Sequence, residues 1–385
     1  MNHVALVIPG LDRIGGAERQ LILLAKGLRG RGWRVTVVAL SGTGCDAAAS
    51  LIDEGIAFLT LRMRKGLADP RGWARFNHWL RREKPDVVHA HLPHAAWLSR
   101  WSRLAAPVRV LVDTLHSSST GTIGRRLGYR WSGWLADRVT AVSCAVADAH
   151  RSAAMVSDEK LTVLPNGVDV KVWQPDAAVR KAVRRELSLD DEFLWFAAGR
   201  LEPVKDYPTL LGAMVQTPDS ARLVIAGSGP MEDELRRISA ESGLERRVQF
   251  LGFQPDIRRW MQAADGFVLS SRWEGLPMGL LEAGACALPS VATDVPGTRN
   301  VIVDGQTGWL APAGDTTALG AAMARMMQAP RDERKAMGEH ARQRVVEHFS
   351  LGAVLDQWEA LYEELLQQNP WAVRWAHARL TDEGT

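Results

Sequence analysis

Short apolar runs rich in Val, Ile and Leu recur along this chain, and stretches with helical spacing lie between them. The runs cover 3–9, 34–40, 86–91, 109–116 and 138–143 in the first half. In the second half they cover 193–200, 221–229, 247–252, 266–271 and 288–294. Such a run, without polar alternation, suits a strand buried on both faces, as in a parallel sheet covered by helices. Between the first two runs, "GGAERQLILLAKGLRGRG" has helical apolar spacing and a glycine stop. Strand–helix alternation, twice over, predicts an α/β chain with two doubly wound parallel sheets. The stretch 171–190, "KVWQPDAAVRKAVRRELSLD", lacks a core strand and reads as the linker region.

The 385 residues are 46% hydrophobic and 24% charged, enough for two full cores. No apolar run reaches the ~18 residues of a membrane span. The start, "MNHVALVIPG", reads as a first strand and not as a signal peptide. Cys45, Cys144 and Cys286 are far apart, so no disulfide or zinc framework is expected and a reducing compartment fits. There is no internal repeat. The net charge of +3 hides an asymmetry: residues 1–175 hold 24 Lys and Arg against 14 Asp and Glu, and the remainder is acidic. A basic half joined to an acidic half suggests two domains with different partners.

Ligands of open parallel sheets bind beyond the carboxyl ends of the strands, and two such sheets facing each other would share a cleft. Polar residues cluster where this rule wants them. Gly15 and Gly16 precede a helix, where backbone approaches a ligand closely and an anion is favoured; a bare tight turn is the plainer explanation. Arg200 and Lys205 in "GRLEPVKD" follow a strand and could bracket a diphosphate, or be two solvated loop charges. In "EGLPMGLLEA", Pro277 suits a first helical turn, leaving the amides of Met278, Gly279 and Leu280 for a phosphate. Glu274 and Glu282 flank that turn, and ionised carboxylates are acceptors suited to sugar hydroxyls. The alternatives are a surface loop acid for Glu274 and a helix-dipole acid for Glu282.

Taken in order, "GGAER" (15–19), "PNGVD" (165–169), "GRLEPVKD" (199–206), "GSGP" (227–230), "EGLPMGLLEA" (274–283), "DVPGTRNVI" (294–302) and "DGQTGWL" (304–310) resemble the retaining glycosyltransferases of family 4, group 1 type. The resemblance implies the GT-B architecture of two Rossmann-like domains facing a cleft. It implies an acceptor-binding domain over 1–170, a nucleotide-sugar-binding domain over 171–365, and a tail, 366–385, crossing back with a kink at Pro370. It implies that Arg200 and Lys205 bind the donor diphosphate and stabilise the leaving group. Amides around Gly279 and Leu280, with Gly16 opposite, would add donors. Glu282 would hold the ribose and Glu274 the transferred sugar. No metal or other cofactor is implied; cations would offset the developing charge. The nucleophile would attack from the face that the pyrophosphate leaves, with a phosphate oxygen taking its proton. UDP is the expected nucleotide and GDP its rival.

His89 and His91 in "HAH" share a strand face, and an HxH pair can bind metal, but no third ligand is evident. His116 ends the next strand, where the family often has a histidine near the donor sugar and the acceptor hydroxyl; a core-edge histidine is the alternative. Asp12 and Asp113 are further polar candidates. Residues 62–84 hold eight bases and two acids, with Trp73, Phe76 and Trp79 interleaved, and 123–134, "IGRRLGYRWSGW", has the same flavour. Such elements suit an anionic membrane surface, or are solvated helices with inward aromatics. A cytoplasmic enzyme at the inner face of the membrane, acting on a glycan or lipid-linked acceptor of polysaccharide or lipopolysaccharide synthesis, is the reading that follows. No nucleic-acid motif accompanies the charge. The competing readings are a nucleotide-sugar-binding protein without transfer activity and a two-Rossmann epimerase or phosphorylase. A dehydrogenase is disfavoured because no GxGxxG follows a strand.

Overall fold

The computed structural model describes residues 1–12, 14–64 and 69–368. The chain divides into two compact units: one holds Met1–Gly167 and the helix Leu351–Gln368, the other Val168–Ser350.

The first unit contains β1 (His3–Ile8), β2 (Arg34–Ala39), β3 (Ala57–Thr60), β4 (Val87–His91), β5 (Val110–Leu115), β6 (Arg138–Ala141) and β7 (Leu161–Val163), in the order 3-2-1-4-5-6-7. The second contains β8 (Phe193–Ala198), β9 (Ala221–Ala226), β10 (Val248–Gly252), β11 (Gly266–Leu269), β12 (Ser290–Thr293) and β13 (Gly308–Ala311), in the order 10-9-8-11-12-13. Every pairing is parallel. The ten strands expected from sequence are present. Three more, β3, β7 and β13, lie at sheet edges, have three or four residues, and carry no long apolar run.

In each sheet the chain works outward from a first strand, then jumps back to pair on its other side. β1 pairs with both β2 and β4, and β8 with both β9 and β11. These are the topological switch points, where neighbouring loops diverge and leave a crevice at the strands' carboxyl ends.

Two boundaries differ from the sequence reading. Residues 171–190 are not a linker. Asp176 caps the helix Ala177–Glu186 by accepting from the amides of Ala178 and Val179, at 2.9 and 3.0 Å. Arg180 and Arg184 bind Asp265 at 2.5 and 2.8 Å, just ahead of β11, which fixes the segment to the second unit. The return to the first unit begins at Leu351 and not at 366. The reason is an apolar stripe: Val354, Leu355, Trp358, Leu361 and Tyr362 are buried in the same core as Leu21 and Leu28. A Cβ at Gly27 would come within 2.5 Å of Leu355, so that glycine lets the two helices approach. Arg31 adds bonds to Asp356 and Glu359 at 2.6 and 2.5 Å. Residues 366–368 of the expected tail complete this helix, and Pro370 with the rest, 369–385, lies outside the described residues.

The two basic–aromatic stretches also part ways. In the helix Pro70–Glu83, Phe76 and Trp79 are buried and stacked on each other. This helix is the solvated alternative with inward aromatics, with Trp73 alone partly outside. The helix Ile123–Trp131 does the reverse, with Ile123, Leu127 and Trp131 exposed.

Candidate active site

Lys205 follows β8 and Glu274 follows β11, so both stand at the switch point of the second sheet. They are 69 residues apart in sequence, yet Lys205 Nζ meets Glu274 Oε1 at 2.5 Å. Ser271 Oγ donates to the same oxygen at 2.6 Å. The two loops are tied further by backbone: the Arg272 amide donates to the Val204 carbonyl at 2.8 Å, and Ser270 Oγ to that of Lys205 at 2.8 Å. Thr293 Oγ1, at the end of β12, donates to the Ser271 carbonyl at 2.5 Å. Glu274 is thus a held carboxylate, and the reading of a loose surface acid fails. Burial, with Glu274 alongside, pushes the Tyr207 phenol up, so its proton stays on.

Arg200 points into solvent, with 74% of its side chain exposed, and pairs with Glu202 at 2.7 Å. The backbone beside it is tightly placed. Gly227, after β9, has φ +151°, and a Cβ there would overlap the Gly199 carbonyl oxygen. Only glycine suits both the dihedral and the approach. The "GSGP" and "GRLEP" loops therefore lie backbone against backbone.

The helix after β11 spans Met278–Ala285, with Pro277 at the N-cap and not in the first turn. The Leu280 amide is not free: it donates to the Pro277 carbonyl at 3.0 Å. That corrects the expectation of three open amides. Gly279 packs where a Cβ would lie 3.0 Å from the Phe267 ring, which brings this helix start close to β11. Glu282 is 3% exposed. Burial, with Glu282 alongside, raises the Cys286 thiol to about 12.

In the first unit the amino end of the helix Gly16–Gly30 is already occupied. Glu18 reaches back to accept from the Gly15 amide at 3.0 Å. A phosphate at Gly15 and Gly16 would have to displace that carboxylate. Asp12 staples its loop by accepting from the amides of Thr43 and Gly44, at 3.0 and 2.9 Å. Asp113 is fully buried and paired with Arg100 at 2.6 Å, so it is structural.

The histidines form a chain. His89 uses both nitrogens, on Tyr362 Oη at 2.7 Å and Thr114 Oγ1 at 2.6 Å. His91 Nδ1 lies 3.0 Å from His116 Nε2. The outer nitrogens, His91 Nε2 and His116 Nδ1, are buried without a protein partner. Both rings line a small pocket with Gln20, Asn166 and Trp358. Burial lowers all three histidines, His116 to about 4, so all are neutral at pH 7. One nitrogen of the His91–His116 contact must donate and the other accept. The two free ends are then one donor and one acceptor, whichever tautomer pair forms. No group of three metal-ligating side chains occurs among the described residues. The sequence reading missed Ser271, Thr114, Tyr362 and the Arg100 partner of Asp113, since serines, threonines and arginines are too common for spacing to single them out.

The chain is 27% identical over 306 residues to the Escherichia coli UDP-Gal:alpha-D-GlcNAc-diphosphoundecaprenol alpha-1,3-galactosyltransferase, covering 74% of this chain and 77% of that protein. It is 28% identical over 366 residues to the lipopolysaccharide core biosynthesis glycosyltransferase LpsE of Rhizobium meliloti, covering 92% and 97%. Among solved structures, Anabaena Alr3699/HepE in complex with UDP superposes with a TM-score of 0.83 at 24% identity, over 94% of this chain and 100% of that one. A glycosyltransferase from Rickettsia africae reaches 0.85 at 19% identity, over 96% and 99%. These likenesses show the two-Rossmann-domain GT-B fold. Residues 14–172 match the family model for Glycosyltransferase Family 4 and residues 179–344 that for Glycosyl transferases group 1, and the chain belongs to this group 1 / family 4 class of glycosyltransferases.

Proposed function

We propose that this glycosyltransferase moves a hexose or N-acetylhexosamine from a nucleoside-diphosphate sugar, with retention, to a lipid-linked glycan in cell-surface polysaccharide or lipopolysaccharide synthesis. The observation that carries the donor half is the Lys205–Glu274–Ser271 cluster at the switch point of the second sheet. A cation and a carboxylate that hold each other are matched to a ligand presenting a diphosphate and a hydroxylated sugar. On binding, Lys205 exchanges Glu274 for a phosphate oxygen, and Glu274 turns its freed oxygen to the sugar hydroxyls. Arg200, exposed on its loop, swings from Glu202 to the same diphosphate. The amide end at Met278 and Gly279 adds a positive dipole, and Glu282 takes the ribose.

The step itself is ionisation of the glycosidic C–O bond, with the two cations offsetting charge on the leaving diphosphate. The acceptor hydroxyl attacks the same face, and its proton passes to the departing phosphate oxygen. No metal is assigned a part. His116, neutral and with one ring nitrogen unpartnered by protein, orients a hydroxyl as donor or acceptor. UDP is favoured because the Escherichia coli relative's name specifies a UDP sugar and the Anabaena structure holds UDP. The former's diphosphoundecaprenol acceptor supports a lipid-linked glycan here. No described helix is long and apolar enough to cross a membrane, and a lipid-linked acceptor would be met at a bilayer surface. The test is transfer from UDP-hexoses to a short-chain lipid diphosphate glycan, with the anomeric configuration of the product read by NMR. An inverted product overturns the retaining step, and no transfer from any nucleotide sugar overturns the assignment.

A further inference from the structure

We infer that one face of the first unit, built by the helices Pro93–Ser102 and Ile123–Trp131, is a docking surface for an anionic lipid bilayer. The helix Ile123–Trp131 is inverted relative to an ordinary surface helix. Its Tyr129 is buried, while Ile123, Leu127 and Trp131 stand outside, the last 78% exposed. Trp134, in the following turn, continues the stripe at 64%. Ile123, Leu127 and Trp131 fall at i, i+4 and i+8, one side of the helix.

The neighbouring helix Pro93–Ser102 and its following turn carry a second stripe, Trp97, Trp101 and Leu104, each between two-fifths and three-fifths exposed. The two stripes adjoin: a Cβ on Gly128 would lie 3.0 Å from the Trp97 ring. Taking a full Trp at roughly 250 Å², the seven side chains expose on the order of 800 Å². Monomers rarely leave more than about 300–600 Å² in one patch.

The face is built on a rigid base. Arg100, fully buried, pairs with Asp113 and donates to the Tyr129 carbonyl at 2.8 Å and to Ser132 Oγ at 3.0 Å. Its guanidinium also stacks 3.8 Å over the Tyr129 ring. One buried cation thus fixes both helices to β5.

The occupant follows from charge. Of the arginines in this region, Arg100, Arg103 and Arg109 pair with Asp113, Asp137 and Asp86; the outward helix carries Arg125, Arg126 and Arg130, and residues 123–134 contain no acid. Arg125 and Arg130 are exposed on the outward helix. A second copy of the chain would set these arginines against one another with no carboxylate to receive them. Anionic headgroups accept them, while tryptophan rings sit at the headgroup–acyl boundary with apolar body inward and N–H outward. The inference deepens the lipid-linked acceptor reading, on which its biological sense rests, but its test needs no turnover.

The full chain is sedimented with vesicles of phosphatidylcholine alone and of phosphatidylcholine with phosphatidylglycerol. Binding to the anionic vesicles, weakened by salt, is expected. Trp131→Ser with Trp134→Ser should lower the partition coefficient about tenfold or more. Arg125→Gln with Arg130→Gln should remove the preference for anionic lipid. Trp73→Ser, on the helix whose other aromatics are buried, should bind as wild type. All variants should keep the wild-type melting temperature and nucleotide-induced shift, which separates failure of this face from failure of the donor site. No binding to anionic vesicles, or wild-type binding by the double Trp variant, overturns the proposal. So does a chain that ignores vesicles but dissociates from dimer to monomer on Trp131→Glu in ultracentrifugation.

Discussion

Replacing Glu274 by Gln separates the two jobs given to this residue. The amide has nearly the same shape, and its oxygen still accepts from Lys205 and Ser271, but the charge is gone. In the free protein the Lys205–Glu274 contact is 2.5 Å long, with side chains 22% and 12% exposed. At an effective dielectric near 20, two charges about 4 Å apart interact by roughly 4 kcal/mol, and desolvation of both ions in this largely buried pair offsets most of that, leaving about 1 kcal/mol. A diphosphate that must take Lys205 away from Glu274 gives up that last amount. Glu274→Gln should therefore tighten nucleoside diphosphate binding by about fivefold, the equivalent of ~1 kcal/mol. Turnover should fall about 100-fold or more, because the sugar loses a charged acceptor that a preorganised site supplies. Calorimetric titration with the nucleotide alone reads the first effect, and initial rates at saturating donor read the second. A tenfold weaker nucleotide, or undiminished turnover, would refute the exchange of Lys205 between Glu274 and phosphate.

Other outcomes follow from the same geometry. Arg100→Met should cost about 3–5 kcal/mol, by leaving the buried Asp113 carboxyl without its cation; adding Asp113→Leu should recover most of it, as read by chemical denaturation. Glu282→Ala should weaken nucleotide binding about tenfold with the fold retained, and unchanged affinity would remove Glu282 from the ribose contact. The His116 pKa lies near 4, below the 6.5 of an unfolded chain, so the unfolded state binds more protons between these values. The stability this neutral ring contributes is full above pH 6.5 and lost as pH falls toward 4. His116→Gln should flatten that part of a denaturation-midpoint profile, and an unaltered profile would contradict the neutral, buried imidazole.

How much of this was legible in the sequence depended on what each residue does. Strands such as Val4–Ile8 and Leu194–Ala197 are buried on both faces, so hydrophobicity alone marks them. The edge strands β3 and β7 are only partly buried and escaped. Lys205 and Glu274 stood out as charged residues just past strands, because strand ends at a switch point are where ligands bind. Their contact with each other was not legible, since spacing along a chain says nothing of two loops meeting across a sheet edge. Glu18 filling its own helix start and Asp12 stapling a loop are local competitions for backbone amides, which a motif does not resolve. The helices 70–83 and 123–131 read alike by composition; only the direction of each apolar face told them apart.

The measurement that bears most directly on the central claim is thermal melting of the full chain with UDP, GDP, ADP and CMP and their sugar conjugates, with and without EDTA. A ligand bound only by the folded state raises the melting temperature by mass action. A clear shift with UDP and its sugars, unchanged by EDTA and abolished in Lys205→Ala with Arg200→Ala, is the predicted result. No shift with any nucleotide, or a shift that survives loss of both cations, would contradict the assignment of a donor diphosphate to this site.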